Sequence, residues 1–283
     1  MYQYSLGMYE KALPDDMPLD QKMQIAKESG YDHLEFCVDL NAERAERLLW
    51  TKEERSHWRT LSYDMEMPFT TFSLSLLRKT PLGLLDSEKN EEGFQVLEEG
   101  CRLARDLGSR IMLVNGYDVY DEPSTPETRA RFFENLPRVV DICARYGMIM
   151  GLENAEKPFC STISDGVSIC EKVPSPYLRV YGDIGNDTNA FNGDTDKVIA
   201  DMLRGQGYVV AMHLKDSLPG EYRLKDYGTG HVDFTRCIEA AKKMHTHLFT
   251  AEIFCDTSRD CVAYAGYVAR FLRSYLDGKG KVE

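Results

Sequence analysis

The sequence predicts a (β/α)8 TIM barrel, an α/β fold in which eight parallel strands alternate with helices. Short apolar runs recur along the chain, and helix-type segments separate them. At four junctions a helix-type segment ends in glycine just before an apolar run, as in AKESG–YDHLEF and ARDLG–SRIMLV. Glycine is common where a helix ends in a left-handed residue, so these junctions are typical of loops that lead from a helix into a strand. Repetition of this unit favours a single barrel domain over residues 1–283.

The eight strands are predicted near residues 4–8, 31–36, 67–74, 110–115, 148–153, 178–183, 208–213 and 248–253, with helices in the intervals. The runs IMLV, MIMGL and YVVAM are apolar almost throughout, as expected of parallel strands covered on both faces. Two helix starts agree, because Thr51–Glu54 and Ser124–Glu127 have the spacing of capping boxes and Pro126 suits a first turn. An open doubly wound sheet is the alternative fold, but no GxGxxG motif follows the first strand.

Composition and charge exclude several classes of protein. The net charge of −12 argues against a nucleic-acid partner, which usually requires a basic face. No apolar run approaches 18 residues, and no basic segment followed by an apolar one stands at the N-terminus, so neither a membrane span nor a signal peptide is predicted. We therefore expect a cytoplasmic protein with reduced thiols, in which Cys37, Cys101, Cys143 and Cys237 fill the core.

Four residues that can bind a metal follow successive strands in the second half of the chain. Glu153 ends MIMGLE, Asp183 ends LRVYGD, His213 lies near the end of VVAMHL, and Glu252 lies in LFTAEIF. The intervals of 30, 30 and 39 residues are close to the length of one βα unit, so the four side chains are predicted to meet where barrel strands converge. Each alone would more often be a helix cap or a surface residue. Together they predict a site for one divalent cation, Mn²⁺, Mg²⁺, Co²⁺ or Zn²⁺, because buried carboxylates need a counter-charge.

The loop after the seventh predicted strand is a candidate anion site. Residues 214–232 contain Lys215, Arg223 and a Gly228-x-Gly230 run that precedes a predicted helix. Glycines at a helix N-terminus with nearby cations can bind phosphate, whereas a solvated loop is an equal alternative.

Further candidates for contacts with a substrate lie near other strand ends. Arg78, which follows the third strand, is a second candidate for binding an anion, and Asn186 and Glu156 follow two of the metal ligands. Glu35 ends the second strand and is expected either to contact the ligands or substrate, or to cap a helix.

The chain resembles a known family through segments that extend nearly from end to end. These segments are LGMYEKALP, NGYDVYDEPSTPETRARF, YGDIGN, HLKDSLPG, GTGHVDF and AEIF. They resemble the L-ribulose-5-phosphate/L-xylulose-5-phosphate 3-epimerases, also called hexulose-6-phosphate isomerases, among the xylose-isomerase-like TIM barrels. The resemblance implies that Glu153, Asp183, His213 and Glu252 bind the metal and that the two glutamates are also the catalytic acid–base pair. It implies epimerisation through an enediolate, in the catabolism of L-ascorbate or pentoses.

Other functions on the same fold are alternatives to epimerisation. An aldose–ketose isomerase acting on a hexulose 6-phosphate uses the same enediolate chemistry and stays open. A metal-dependent endonuclease of the apurinic-site type would need more convincingly placed histidines than this chain offers among its six, and a basic face. A non-catalytic sensor of sugar phosphates would not require two carboxylates on separate strands. The expected partner is a small phosphorylated sugar, without nucleic acid or membrane, and a homodimer stays open.

Overall fold

In the computed structural model, which describes residues 2–280, eight parallel strands close into a barrel in chain order. They are β1 (Ser5–Tyr9), β2 (His33–Cys37), β3 (Thr71–Ser73), β4 (Ile111–Asn115), β5 (Ile149–Glu153), β6 (Leu178–Asp183), β7 (Val209–Leu214) and β8 (Leu248–Ala251). Each overlaps one predicted strand, so the predicted TIM barrel is confirmed. Strand β3 is shorter than predicted because Pro68 has no backbone N–H to donate to a neighbouring strand.

The helices occupy the intervals between the strands. They are α1 (Leu19–Glu28), α2 (Ala42–Glu46), α3 (Lys52–Asp64), α4 (Ser87–Leu107), α5 (Pro126–Arg145), α6 (Ile163–Lys172), α7 (Ile184–Ala190), α8 (Thr195–Arg204), α9 (Phe234–Lys243) and α10 (Cys261–Leu276). Short 3-10 helices span Glu10–Ala12, Arg47–Leu49 and Ser75–Lys79. Among residues 2–280, none of the helices is both long and apolar enough to cross a bilayer.

The glycines at the predicted helix–strand junctions adopt the left-handed conformation. Gly30, Gly108, Gly147 and Gly207 have φ angles of 89°, 101°, 65° and 81°. Residues with a side chain rarely adopt these angles, so glycine at these four positions turns the chain sharply from a helix into the next strand.

One of the two predicted capping boxes is confirmed and the other is wrong by one residue. Thr51 and Glu54 cap the start of α3 reciprocally. At α5 the cap is Thr125, whose side chain accepts from the backbone N–H of Thr128. Ser124 instead donates to Asp118 at 2.7 Å, and Thr125 directly precedes Pro126, where the backbone is held extended as a cap requires.

The expected reduced state holds for six of the eight cysteines. Cys37, Cys101, Cys143 and Cys237 are buried free thiols, as predicted for core residues. The prediction is wrong for Cys255 and Cys261, which form a disulfide. The turn between β8 and α10 brings their Cα atoms to 5.6 Å, a separation that a disulfide can bridge.

Candidate metal centre

The four predicted metal ligands meet at the carboxyl end of the barrel. Glu153 and Asp183 are the last residues of β5 and β6, His213 is the next-to-last residue of β7, and Glu252 directly follows β8. One potential ligand atom from each side chain lies within 4.8 Å of the corresponding atom of every other. The register of the sheet places these residues at a similar height in the barrel, since Asp183 pairs with His213 across β6 and β7. The structure thus brings together the residues that the regular spacing singled out.

The chemistry of this cluster fits a cation. Three carboxylates and one imidazole are a donor set that suits divalent metals with a preference for oxygen and nitrogen ligands. Asp183 Oδ2 and Glu252 Oε2 are buried, and neither has a hydrogen-bond partner among residues 2–280. The Lys215 ammonium lies 2.9 Å from the first oxygen and 2.6 Å from the second, at ion-pair distance but without the angles of a hydrogen bond. Beyond these contacts with Lys215, the three carboxylates of the cluster leave surplus negative charge for a metal ion.

Burial and neighbouring charges shift the pKa values of Glu252 and Asp183 in opposite directions. Burial raises the pKa of Glu252 to about 7, although Lys215 and His213 oppose the shift. Burial also disfavours the charged form of Asp183, but Lys215 and His213 outweigh it and hold its pKa well below the usual range. The pKa of Lys215 is raised, because Asp183 and Glu252 outweigh the effect of burial. Two carboxylates at the same site thus differ in their affinity for a proton.

Glu35 lies directly beneath the ligands, inside the barrel. Its side chain is fully buried, and its Oε1 is 2.7 Å from His213 Nε2. The sequence left open whether Glu35 caps a helix, and the structure shows instead a carboxylate that contacts a predicted metal ligand. Burial would raise its pKa, but His213 and the hydroxyls of Tyr181 and Thr71 outweigh it and lower the pKa.

Asn115 is a member of the site that the sequence did not reveal. Its Nδ2 donates to Glu153 Oε2 at 2.5 Å, and the other carboxylate oxygen of Glu153 is 3.0 Å from His213 Nδ1. Asn115 is the last residue of β4, the same position on its strand that Glu153 and Asp183 occupy on theirs. That position was a usable signal for Asn115, although an uncharged amide does not stand out as a metal ligand.

The predicted substrate residues line one cleft above the ligands. Glu153, His213 and Glu252 line the same cleft. Its walls include Arg78, Glu156, Asn186, Lys215 and Arg223. Lys215 lies within the ligand cluster rather than at the rim where a phosphate-binding role would place it.

The glycine run in the 214–232 loop is not available to an anion. The backbone N–H groups of Gly228 and Gly230 donate to Asp216 Oδ2 at 2.8 and 2.9 Å. The predicted anion site at these amides is therefore wrong, because the loop carries its own carboxylate.

Comparison with known proteins matches the chain to one family of TIM barrels. The model of the family described as xylose isomerase-like TIM barrel matches residues 23–275. L-ribulose-5-phosphate 3-epimerase UlaE of Escherichia coli (strain K12) is 31% identical over 282 residues, which cover 99% of this chain and 98% of the relative. The protein of the same name from Salmonella heidelberg (strain SL476) has the same identity and coverage.

Solved structures of sugar epimerases share the architecture. The structure of an L-ribulose 3-epimerase superposes with a TM-score of 0.80 at 16% identity, covering 97% of this chain and 95% of the other. D-psicose 3-epimerase from Clostridium cellulolyticum H10 gives a TM-score of 0.80 at 14% identity, covering 96% and 99%. At these identities the comparison establishes the fold alone.

Proposed function

The chain belongs to the family of xylose isomerase-like TIM barrels, and we propose that it is a metal-dependent 3-epimerase that interconverts L-xylulose 5-phosphate and L-ribulose 5-phosphate. The observation that carries the proposal is the pair of glutamates, Glu153 on β5 and Glu252 after β8, which approach one ligand cluster from separated strands. Relatives that are 31% identical over nearly the whole chain are named L-ribulose-5-phosphate 3-epimerases. The function is therefore supported by the site geometry and by the relatives together.

Glu153, Asp183, His213 and Glu252 would hold the divalent metal, as their shared position and the surplus of carboxylates over cations support. A cation bound there supplies positive charge beside the substrate oxygens on which negative charge develops. The buried ammonium of Lys215, paired with Asp183 and Glu252, adds a second positive charge to the same region. We propose that Lys215 offsets the charge of the carboxylates rather than binding the phosphate.

The two glutamates are proposed to move the C3 proton. This proton is α to the C2 carbonyl, so its removal leaves an enediolate, and epimerisation requires a proton to return on the opposite face. A carboxylate on each side of the sugar meets this requirement, one as base and the other as acid, with roles exchanged in the reverse direction. Contacts from Asn115 and His213 hold Glu153 in place.

The phosphate is proposed to bind at the side of the cleft formed by Arg78 and Arg223. Arg78 Nε and Ser75 Oγ are buried and have no hydrogen-bond partner in the described part of the chain. The guanidinium of Arg78 lies 4.5 Å from the centre of the Tyr120 ring, which holds its plane in position. Arg223 is 3.7 Å from Glu156, a looser pair than a hydrogen-bonded one. Both cations therefore keep donors available to an anion.

Asn186 and Glu156 are proposed to contact the hydroxyls of the sugar. Asn186 Oδ1 is buried and has no hydrogen-bond partner within residues 2–280, while Asn186 Nδ2 donates to the carbonyl oxygen of Asn154 at 2.8 Å. Glu156 accepts from the hydroxyl of Tyr117 at 2.7 Å and keeps its other oxygen toward the cleft side occupied by Arg223. A free acceptor from each is suited to a sugar O–H.

Turnover in D₂O tests the reaction. The metal-loaded protein is incubated with L-ribulose 5-phosphate, L-xylulose 5-phosphate and a hexulose 6-phosphate, and products are followed by NMR. We expect deuterium at C3 of both pentulose phosphates. Deuterium at C1 would instead assign aldose–ketose isomerisation, and no exchange with any of these sugars would contradict the proposal.

The free sugars L-ribulose and L-xylulose provide the control for the phosphate. Arg78→Ala is expected to raise KM for the phosphorylated substrates and to leave any turnover of the free sugars unchanged. An equal effect on both would place Arg78 elsewhere in the mechanism.

A further inference from the structure

A single buried carboxylate connects the lower part of the barrel interior to the candidate metal centre. Glu35 on β2 is inaccessible to solvent, and its Oε2 accepts hydrogen bonds from Tyr181 at 2.6 Å and Thr71 at 2.7 Å, with Thr250 at 3.5 Å. Its other oxygen, Oε1, is 2.7 Å from His213 Nε2. Side chains from β3, β6, β7 and β8 thus surround a carboxylate carried by β2.

The two nitrogens of His213 face different surroundings. Nε2 points down to Glu35, whereas Nδ1 points to the other ligands, 3.0 Å from Glu153 and 3.7 Å from both Asp183 and Glu252. An ionised carboxylate can only accept, so the contact with Glu35 requires a proton on Nε2. Glu153 Oε1 lies at hydrogen-bond distance from Nδ1 as well, so without a metal each ring nitrogen can carry a proton. A metal that binds Nδ1 would displace the proton there and leave the one that Glu35 holds on Nε2.

We propose that Glu35 is a positioning residue of the metal centre, which keeps the proton of neutral His213 on Nε2 and so presents Nδ1 to the metal. This inference rests on the proposed metal site. Metal-ligating histidines commonly donate their second ring N–H to a carboxylate, which fixes the ring and makes it a more basic ligand. Nothing in the proton-transfer chemistry of Glu153 and Glu252 requires Glu35, so its effect acts through His213.

Packing alone does not account for Glu35. A carboxylate in the interior of a barrel is costly, and an apolar side chain could fill the same volume without that cost. The hydroxyls of Tyr181 and Thr71 both bind Oε2, which fixes the carboxylate and leaves Oε1 for the imidazole. The arrangement therefore holds one oxygen rigidly and aims the other at a metal ligand.

Glu35→Gln and Tyr181→Phe separate this role from a general role in packing. In Glu35→Gln the charge is lost, and an amide N–H₂ turned to His213 would favour the wrong tautomer. Tyr181→Phe removes a hydrogen bond to Oε2 but leaves the contact of Oε1 with His213. Mn²⁺ is titrated into each protein after treatment with chelator, and folding is checked by circular dichroism and urea unfolding.

We expect Glu35→Gln to weaken Mn²⁺ binding by roughly 10–100-fold, the range seen when such partners of a metal ligand are removed. Tyr181→Phe should change the Kd much less. At saturating Mn²⁺, kcat of Glu35→Gln should return toward that of the wild type, because the residue acts through the metal and not on the substrate.

The tautomer gives a readout that needs no variant at Glu35. In the Zn²⁺-loaded wild type, ¹⁵N NMR should show the proton of His213 on Nε2, with the resonance assigned by its absence from His213→Asn. A proton on Nδ1, an unchanged Kd in folded Glu35→Gln, or an equal loss in Tyr181→Phe would each overturn the inference. If the wild type binds no divalent metal, both the proposed function and this inference are contradicted. If the wild type binds the metal and Glu35→Gln binds it with the same Kd, only this inference is contradicted.

Discussion

Two of the clusters of buried charge in residues 2–280 differ in how far their own side chains neutralise them. In the first, Glu10 accepts from both terminal nitrogens of Arg47 at 2.7 Å and from the backbone N–H of Cys37 at 3.0 Å. Both carboxylate oxygens are therefore satisfied, and the guanidinium lies 4.6 Å from the centre of the Phe36 ring. Lys22 stands nearby at 3.7 Å from Glu10.

In the second cluster, the carboxylates outnumber the cations. Glu35, Glu153, Asp183 and Glu252 surround His213 and Lys215, and two carboxylate oxygens have no hydrogen-bond partner in residues 2–280. Burial of charge does not by itself mark a functional site. A cluster that is closed by its own side chains stabilises the fold, whereas the surplus negative charge of the second is what the proposed cation would neutralise.

The largest expected effect is on turnover, in the second cluster. Glu252→Gln should lower kcat by roughly 10²–10⁴-fold, because a general acid–base group contributes about that much. Stability of the metal-free protein should not fall, since the change removes one of several like charges. Turnover, metal content and urea unfolding are measured on the same preparation.

The matched control for this variant is Glu171→Gln, an exposed glutamate on α6 that lies outside the cleft. It should behave as the wild type in all three measurements. Wild-type turnover by a metal-loaded Glu252→Gln protein would exclude Glu252 as acid or base.

In the first cluster, a substitution should change the stability of the fold and leave metal binding unchanged. Glu10→Gln leaves the buried guanidinium of Arg47 without its counter-charge, so we expect a loss of about 3–5 kcal/mol in the free energy of unfolding. The loss should be the same with and without divalent metal. Urea unfolding measures it, and Glu43→Gln on the exposed side of α2 should stay within about 0.5 kcal/mol of the wild type. A loss below about 1 kcal/mol would show that Arg47 can reach solvent or another acceptor.

Added metal should separate the two clusters directly. A ligand that binds only the folded state at 100 times its Kd stabilises it by about 2.7 kcal/mol. We expect Mn²⁺ to stabilise the wild type and Glu10→Gln by the same increment and Asp183→Asn hardly at all. Urea unfolding in Mn²⁺ and in chelator measures the increment. Equal stabilisation of Asp183→Asn would place the cation elsewhere.

A smaller effect is expected at Asp187, a buried carboxyl group outside both clusters, which a proton rather than a cation neutralises. Burial and the neighbouring Asp201 raise the pKa of Asp187 well above its usual value. The folded state therefore keeps a proton that the unfolded chain loses above about pH 4, so wild-type stability falls as pH rises through that range toward the folded pKa. The amide side chain in Asp187→Asn is neutral at every pH in this range, so its burial requires no proton.

Asp187→Asn should accordingly match the wild type near pH 4 and exceed it at pH 8, by about 1 kcal/mol. Urea unfolding across this pH range tests the trend, with Asp196→Asn on the exposed face of α8 as the control. A variant that is less stable than the wild type at pH 8 would show that the ionised form of Asp187 has a partner.

The sequence alone determined the barrel and the four residues Glu153, Asp183, His213 and Glu252. Both follow from local rules, because glycines that end helices and apolar runs of strand length are encoded by neighbouring residues. Parallel strands in a closed barrel must deliver their carboxyl ends to the same face. Spacing along the chain was therefore sufficient to predict that the four candidate ligands meet.

Tertiary structure alone decided which partners those residues have. Glu35 touches His213 across 178 positions of sequence, and Asn115 reaches Glu153 across 38. Lys215 turns inward to two carboxylates, and Asp216 occupies the amides of Gly228 and Gly230 that were predicted to bind an anion. Each of these contacts depends on side-chain rotamers and on the register of strands far apart in sequence. Periodicity places a residue on a face of the barrel but does not choose the atom that it meets there.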